Sequence, residues 1–285
     1  MKISIARFLL TIFVLIITSP LYAQSMRDIE RELRSTYEGT IVVLKNSYLE
    51  TSQKYDETGR WLGKSTKVGS WTLYSHVKVR KLSLKENEVH VEADRVFIGF
   101  DGTTPKGYMP IHNVPVYIEI RLSGGLADKA RYESALHNIT LRSIIDLAEH
   151  SSPVWNNYFE KLTTEAELHS NSPSPSTEVK PADAVDKTQN IFRVGPKVSA
   201  PKPEHTPDPD YSELARQEKV TGVVTLAVIV DTDGSTKDIR IFKPIGFGLD
   251  EMACEKVLIW RFKPGMIDGT PVPVRITVET TFSLY

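Results

Sequence analysis

The sequence has few of the features that mark several common classes of protein. It contains one cysteine, Cys254, which excludes an intrachain disulfide framework and every cysteine-cluster metal or iron–sulfur site. The 16 glycines and 17 prolines in 285 residues are too few for a collagen-like or wholly low-complexity chain. Positive and negative charges balance, with 35 Lys and Arg against 36 Asp and Glu. This balance gives no global field for nucleic acid or an acidic membrane surface, and we expect no nucleic-acid partner.

What the sequence does contain is the composition of a globular protein. Hydrophobic residues make up 40% of the chain and charged residues 25%, which is close to the average for folded soluble domains. At roughly 150 residues per domain, the length predicts about two domains. The two are expected to differ in character, because strand signals dominate the first part of the chain and helices alternate with strands in the last.

The first 23 residues carry the pattern of a secretory signal peptide. A basic segment ends at Arg7, a largely apolar run occupies residues 8–17, and the small residue Ala23 stands at the expected cleavage point. The run is about half of the ~20 apolar residues that a membrane-spanning helix needs. We therefore predict cleavage after Ala23 and export to the bacterial periplasm. The alternative is an uncleaved inner-membrane anchor formed by residues 8–23.

Residues 26–162 are predicted to form a β-rich domain of unknown function. An amphipathic helix is expected at 26–37, where Ile29, Leu33 and Tyr37 share one face. Apolar and polar residues then alternate in several segments, which is typical of half-buried antiparallel strands. The segments with strand signals are 41–44, 54–61, 71–79, 88–93, 95–100 and 116–122, and the predicted closing helices are 141–149 and 154–162.

Residues 163–194 have the composition of a disordered linker. Serine and proline alternate at 172–176, and a second polar, proline-bearing stretch follows at 180–183. Such segments cannot bury enough apolar surface to fold on their own. A coil of this length averages ~30 Å from end to end, which is enough to connect two domains.

The C-terminal region, residues 195–285, is predicted to be a small α+β unit. Its elements follow in the order helix, strand, strand, helix, strand, with an Asp-Gly hairpin turn between the first two strands. The predicted ranges are 211–217, 223–230, 236–242, 250–260 and 272–284. Apolar and polar residues alternate along almost the whole last strand, so one of its faces is expected to pack on the helix and the other to face water.

An ordered series of short motifs runs through this region. The motifs are PDYSELAR at 209–216, GVV at 222–224, DTDG at 231–234, GFGLD at 246–250 and WRFKP at 260–264. Their order and spacing resemble the C-terminal domain of TonB-family proteins, of the acidobacterial type with a signal peptide and a β-rich middle domain. The resemblance implies an α+β class for the chain, namely a β-rich N-terminal domain and a TonB-like C-terminal domain. The motif residues that we assign to the structural framework of this domain are Tyr211, Gly222, Gly234, Gly248, Leu249, Asp250, Trp260, Phe262 and Pro264.

The resemblance also implies a function. TonB domains bind a short extended segment of an outer-membrane TonB-dependent receptor by adding it as a strand beside their last strand. In this chain the partner-binding strand would carry Arg275, Thr277, Glu279 and Thr281 on its polar face. The implied protein is a periplasmic energy transducer that couples receptor binding to transmembrane transport. A homodimer that pairs through the last strand is the alternative, since an exposed edge is used or covered in most proteins.

Two departures from the family pattern bear on energy transduction. Energy-transducing members carry a histidine in an uncleaved N-terminal helix, whereas no histidine occurs between Met1 and Arg27 here. The family's usual Tyr-Pro is also altered, because Ser212 follows Tyr211. An envelope adaptor or oligomerisation module without energy transduction is therefore the second hypothesis.

An enzyme housed in residues 26–162 is the third hypothesis, and the residues give it little support. No Gly-x-Ser-x-Gly elbow is present, and the histidines lack metal-ligand spacing. Residues 59–65 imitate a phosphate-binding loop but are one residue short between the glycines, so a hairpin turn is expected. Asp94 and Asp101 are the carboxylates that a hidden site would use. We predict a protein that is not an enzyme and that uses no cofactor and no metal.

Overall fold

The computed structural model describes residues 25–85, 87–101, 104–125, 128–171 and 191–284. They fall into two compact units, each assembled from separate stretches of the chain. The first unit holds the described residues up to 69 together with 74–96 and 110–142, and the second holds 70–73, 97–109 and those from 143 onward. Helices and strands occur in both, which confirms the predicted α+β class.

The first unit is built on a six-stranded sheet. Two of its strands, residues 88–101 and 104–121, extend into residues that belong to the second unit. The strands lie in the order β2-β5-β4-β3-β1-β6, with β2 and β5 parallel and the pairs of β1 with β3, β1 with β6 and β3 with β4 antiparallel. Their ranges are β1 Ile41–Leu44, β2 Ser52–Asp56, β3 His76–Lys85, β4 Glu88–Asp101, β5 Thr104–Arg121 and β6 Thr140–Leu141. The helices of this part are α1 at residues 25–37 and α3 at Lys129–Ile139, and the single turn α2 at Trp71–Tyr74 belongs largely to the second unit.

The core of the first unit joins one face of this sheet to α1 and α3. Leu33 of α1 and Leu136 of α3 are buried in one cluster with strand residues such as Val77 and Ile120. Burial of these apolar side chains is the main favourable term in folding the unit. The cluster accounts for the alternation in residues 88–94 of β4, whose apolar side chains are buried while the polar ones between them are half-buried; residues 95–99 are buried without alternation.

A buried arginine holds an irregular segment of the first unit in place. Arg95 of β4 donates hydrogen bonds to the backbone carbonyls of Tyr48 at 2.7 Å, Tyr74 at 2.8 Å and Glu50 at 3.0 Å. Burial lowers the pKa of Arg95 to about 10, so the side chain remains charged at neutral pH. The guanidinium thus satisfies carbonyls that a loop would otherwise leave unpaired.

The second unit contains the C-terminal sheet and the helices that cover it. The sheet has the strand order β10-β9-β14-β7. The unit also contains two separate two-stranded ladders, β8 with β11 and β12 with β13. The strands are β7 Phe192–Arg193, β8 Lys202–His205, β9 Gly222–Val230, β10 Thr236–Lys243, β11 Arg261–Lys263, β12 Gly265–Ile267, β13 Thr270–Val272 and β14 Val274–Phe282. The helices are α4 Asn156–Asn171, α5 Glu213–Gln217 and α6 Leu249–Val257, preceded by 3-10 helices at Ile145–Glu149 and Pro153–Trp155.

An aromatic cluster joins separate stretches within the second unit. Its rings all come from residues before the predicted domain boundary at 162, and Trp71 and Trp155 meet edge to face with centroids 4.9 Å apart. Beside them, the Glu251 carboxylate accepts hydrogen bonds from Trp155 Nε1 at 2.8 Å and Ser70 Oγ at 2.9 Å. The 3-10 helix Pro153–Trp155, α4 and α6 all pack against β10. The cluster comprises Trp71, Phe100, Trp155, Tyr158 and Phe159.

Some elements differ from those expected. The segment 71–79 was expected to be one strand, but its first four residues form α2 and the strand begins at His76. Helix α3 was not expected, although Asp128 caps it by accepting a hydrogen bond from the Ala130 N–H and its buried residues follow a helical spacing. The expected helix at 141–149 is instead the end of β6 and a 3-10 helix.

The boundaries around the linker and the termini also differ in detail. Helix α4 continues to Asn171, past the expected end at residue 162. Residues 191–194 of the expected linker are described and include β7 at Phe192–Arg193, whereas its residues 172–190 and the expected signal peptide or anchor, residues 1–23, lie outside the described residues. Within the described part of the chain, no helix is long and apolar enough to cross a membrane.

Candidate functional site

The last strand, β14, has one fully paired side and one largely unpaired side. Toward the sheet it pairs antiparallel with β9 at every position from Val274 to Phe282, without a bulge. On its outer side β7 pairs with it in parallel at Val274 and Arg275 alone. Among the described residues, positions 276–282 therefore have no strand partner on the outer side.

The open stretch begins where β7 turns away from the sheet. Gly195 and Val198 exchange backbone hydrogen bonds of 3.1 Å, and this tight turn directs the chain away from β14 after Arg193. At the other end of the expected strand, Val272 belongs to β13, so β14 begins two residues later than predicted. Pro273 separates the two strands because it lacks the N–H that a continuous ladder would use.

The backbone of the predicted site residues faces the open side. The Phe192 N–H donates to the Pro273 carbonyl at 2.9 Å, which shows that the backbone groups of odd-numbered residues here point outward. Because these groups alternate along a strand, the N–H and C=O groups of Thr277, Glu279 and Thr281 also point outward. The even-numbered residues between them direct their groups to β9. The edge thus presents a row of donors and acceptors to another extended chain.

The side chains of the four predicted site residues lie on one face of β14 and differ in their contacts. Arg275 is half-buried, and its Nη2 lies 3.3 Å from Asp238 Oδ2. Asp238 also accepts from Arg240 Nε at 2.9 Å, so its carboxylate is shared by the two arginines. Thr277, Glu279 and Thr281 are exposed, and no described residue forms an ion pair with Glu279.

The opposite face of β14 is apolar and incompletely covered. Val274 and Phe282 are buried at the two ends, whereas Ile276 and Val278 between them stay half-buried. Helix α6 packs on β9 and β10, the strands farther from this edge. An added strand would bury more of Ile276 and Val278, which favours binding by about 25 cal/mol per Å² of apolar surface removed from water.

Tyr211 fixes the far end of the edge strand. Its ring meets Phe282 edge to face with centroids 5.3 Å apart, and its hydroxyl donates to the Val220 carbonyl at 3.1 Å. Burial raises the pKa of Tyr211, so the hydroxyl stays protonated as a donor. Ser212, which replaces the family's usual proline, caps α5 by accepting from the Ala215 N–H at 3.1 Å. The departure from the family pattern at this point is thus structurally compatible with the fold.

The Gly-rich turn before α6 is a structural cap. Gly248 has a φ of +72° and donates its N–H to Thr72 Oγ1 at 3.1 Å, and Leu249 behind it is fully buried. The Asp250 carboxylate accepts the N–H groups of Ile245 and Gly246, each at 2.8 Å. Burial raises the pKa of Asp250. An anion bound at this turn would need these same N–H groups, so the turn is occupied by the protein's own carboxylate.

The remaining predicted framework residues hold the turns and short strands around the sheet. Gly234 has a φ of +82° in the β9–β10 turn, and its carbonyl accepts the Phe262 N–H at 2.9 Å. Trp260 donates its indole N–H to the Pro207 carbonyl at 3.0 Å, beside the buried Phe262 ring. Gly222 opens β9 opposite Phe282, and the half-buried Pro264 lies between β11 and β12.

Sequence reasoning missed two features of this site. It assigned no role to β7, because a two-residue parallel strand at the end of a polar stretch carries no periodic signal. It also did not anticipate Asp238, which has a positive φ of 46° in a bulge of β10 and contacts Arg275. An aspartate within an alternating strand is the only local sign of such a bulge.

Cys254 and Asp94, two residues that a catalytic site could use, have the burial and contacts of structural residues. Cys254 is buried in α6, and burial raises the pKa of its thiol. Asp94 pairs with Arg80 Nε at 3.2 Å. Within the described ranges, no group of three or more His, Cys, Asp or Glu side chains is arranged to hold a metal ion.

The edge strand, the capped helix and the motif residues together define a TonB-type C-terminal domain. Residues 207–284 match the family model for the Gram-negative bacterial TonB protein C-terminal, so this part of the chain is a TonB-family C-terminal domain and the predicted resemblance is confirmed. Protein TonB of Vibrio cholerae serotype O1 (strain ATCC 39315 / El Tor Inaba N16961) is 31% identical over 77 residues, which cover 27% of this chain and 32% of that protein. The chain thus spans about a third of the length of this curated relative.

A solved structure is also similar to this region. The solution NMR structure of the Pseudomonas aeruginosa TonB CTD shares 20% sequence identity with the chain, covers 34% of it and is itself covered over 96% of its length. The TM-score of the comparison is 0.26.

Proposed function

We propose that the C-terminal domain acts in the periplasm as a TonB-like module that binds an extended segment of an outer-membrane receptor and couples this binding to transmembrane transport. The single observation that carries the proposal is the outer side of β14 at positions 276–282, which has no strand partner among the described residues. The receptor segment would add to the sheet as a further strand, with main-chain hydrogen bonds supplying affinity and alternate side chains supplying specificity.

The character of this edge supports binding of a partner. Natural edge strands are commonly blunted by proline, lysine, bulges or short length. Strand β14 has none of these within its nine residues, and its register with β9 is regular throughout. The other outer strand of the sheet, β10, is by contrast bulged and packed against helical segments. Among the described residues, the sheet is therefore open along β14, and the regular register of this strand suits a long ladder of hydrogen bonds.

The proposal also states where the protein acts and that it binds a partner instead of catalysing a reaction. Residues 1–23 act as the export signal, and the mature protein works outside the cytoplasm. The role is binding rather than catalysis, because Cys254 is buried, Asp94 pairs with Arg80 and the C-terminal match is to a TonB domain.

A second candidate function is an envelope adaptor that binds a partner without energy transduction. One observation favours it, namely that α4 and the C-terminal sheet belong to the same compact unit. The segment 172–190 then connects two parts of one unit, which limits how far the C-terminal domain can extend. Loss of receptor-dependent uptake in a strain lacking the protein supports coupling, whereas retained uptake with intact receptor binding supports the adaptor.

Strand addition is tested by removing one outward donor without disturbing the sheet. Because the Thr277 N–H points away from β9, Thr277→Pro deletes a hydrogen bond to the partner and leaves the internal ladder intact. Thr277→Val keeps the N–H and serves as the matched control. Titration calorimetry with plug-domain segments from receptors of the same cell should show binding to the parent and T277V and at least about tenfold weaker binding to T277P. If no segment binds at high micromolar concentration, the proposal is wrong.

A further inference from the structure

We infer that Glu279 selects the strand that the edge accepts, by favouring a foreign segment with a basic side chain beside it and by opposing pairing with a second copy of β14. The inference rests on the proposed function of the edge and goes beyond it, since it specifies the chemistry of the partner. It depends on the position of Glu279 within the open stretch, on its lack of a described ion-pair partner and on the half-buried residues Ile276 and Val278 on the opposite face of the strand.

Glu279 lies at the centre of the open stretch. Strand β7 occupies positions 274 and 275, so the free positions are 276–282, with three on each side of Glu279. A two-fold dimer is isologous, so any residue that contacts position j of the partner is contacted by j in return. An antiparallel dimer that uses the whole open stretch therefore places the Glu279 carboxylates of both copies opposite each other. Like charges directly opposite destabilise an antiparallel pair.

Other registers of a self-paired dimer are also disfavoured. A dyad at Thr277 would place Arg275 of each copy opposite Glu279, which pairs opposite charges. That register needs the outward groups of Arg275, which lie beside β7, and its guanidinium already contacts Asp238. A dyad at Thr281 avoids β7 but leaves a ladder of only a few residues. Dyads at positions 278 and 280 avoid opposed carboxylates but shorten the ladder within the open stretch to five residues. Each alternative thus loses hydrogen bonds or requires β7 to leave the edge.

A foreign segment meets none of these restrictions. Its side chains would alternate between the face of Ile276 and Val278, which is apolar, and the face of Thr277, Glu279 and Thr281, which is polar. On that face Arg275 contacts Asp238, and no described cation forms an ion pair with Glu279. A lysine or arginine beside Glu279 would supply the missing positive charge, and apolar residues on the other face would cover Ile276 and Val278. The edge therefore fits an alternating segment with a central basic residue.

The first experiment measures the charge preference with the purified full-length protein. The probes are fluorescent peptides with one residue for each of positions 276–282, alternating valine and threonine, with lysine or glutamate in the middle. Fluorescence anisotropy should show the lysine peptide binding about threefold to tenfold more tightly than the glutamate peptide. Glu279→Lys should reverse this order, while Glu255→Lys, the same change at an exposed site on α6, should leave it unchanged.

The two proposals fail in different ways in this experiment. Peptide binding that T277P does not weaken, or no binding at all, overturns the edge as an acceptor and with it the proposed function. Binding that T277P weakens, but with the same peptide order in the parent and E279K, keeps the edge as acceptor and overturns the charge selection. Reversal in E279K that also grows at low salt supports the selection, because exposed charges are screened by salt.

The second experiment measures self-association of the full-length protein by sedimentation velocity. Glu279→Thr removes the opposed carboxylates and keeps a residue suited to strands, so its dimer should form at severalfold lower concentration than that of the parent. Glu255→Thr should behave as the parent, and adding T277P to E279T should abolish the gain. Equal self-association of E279T and the parent, or a parent dimer that T277P dissolves at low concentration, overturns the inference.

Discussion

At the residue scale, the Glu251 carboxylate shows how a buried acid can hold helices together and make stability depend on pH. One oxygen accepts hydrogen bonds from Trp155 and Ser70, while Oε2 is buried without a hydrogen-bond partner in the described residues. Burial raises the pKa of Glu251 above its ordinary 4.5. Folding therefore shifts the equilibrium of this carboxyl toward its protonated form relative to the unfolded chain.

The sign of the pH effect follows from this shift. A group whose pKa is raised on folding contributes its full stabilisation below the unfolded pKa and loses it as the pH rises through the folded pKa. The free energy of unfolding should therefore fall from about pH 4.5 upward, and Glu251→Gln should flatten that fall. Urea unfolding followed by tryptophan fluorescence at several pH values measures the slope. Glu218→Gln, at an exposed site that does not contribute to the shift at Glu251, should keep the parent slope, and equal slopes in E251Q and the parent would contradict the prediction.

Two glycines have the same backbone conformation but different space around the position of a Cβ. Comparing their substitutions by alanine distinguishes backbone strain from steric conflict. Gly234 and Gly269 have φ values of +82° and +81°. A Cβ at Gly234 would lie 1.9 Å from the Phe262 carbonyl oxygen, whereas at Gly269 no atom lies within 4 Å. Gly269→Ala should cost about 1 kcal/mol, and Gly234→Ala about 3 kcal/mol or more, by urea unfolding. Equal losses would show that the turn backbone can move away from Phe262.

At the element scale, β7 limits the length of segment that the edge can accept. Its Phe192 N–H donates to the Pro273 carbonyl, which is part of what holds it beside β14. Phe192→Pro removes this donor, and Phe192→Ala is the control that removes the ring but keeps the N–H. Peptides long enough for positions 274–282 should bind F192P about threefold to tenfold more tightly than F192A, and peptides for 276–282 equally well. Equal binding of the long peptides would mean that β7 does not compete for the edge.

The same elements show what the sequence could and could not predict. The alternation along β14 and the Asp-Gly turn before β10 are local patterns, and they predicted the strands of the C-terminal domain and the face on which the site residues lie. The start of β14 was placed too early because the alternation continues through Pro273, whose missing N–H matters more than its place in the pattern. Strand β7 and Arg95 could not be predicted, because their roles depend on residues far away in the chain.

At the scale of the whole molecule, the grouping of segments decides how the C-terminal domain works. The order along the chain suggests a middle domain and a C-terminal domain that fold independently and are joined by a linker. The second compact unit instead combines residues 143–171 with residues from 191 onward. Aromatic rings from distant positions meet there, and no local pattern in the sequence encodes such packing. The chain on both sides of 172–190 therefore contributes to one compact unit.

Cutting the chain within residues 172–190 tests this grouping. A protease site placed there allows the purified protein to be divided after it has folded. The two fragments should elute together in size-exclusion chromatography at micromolar concentration, because Trp155 is fully buried and its segment packs against β10. Trp155→Ala removes that buried ring and the hydrogen bond to Glu251, which costs about 3–5 kcal/mol of packing, so its cut fragments should separate. Leu258→Ala, at an exposed apolar residue just after α6, is the matched control and should behave as the parent. Separation of the cut parent fragments would mean that the C-terminal domain is free to move on its tether, and the long-reach coupling function would then be favoured over the adaptor.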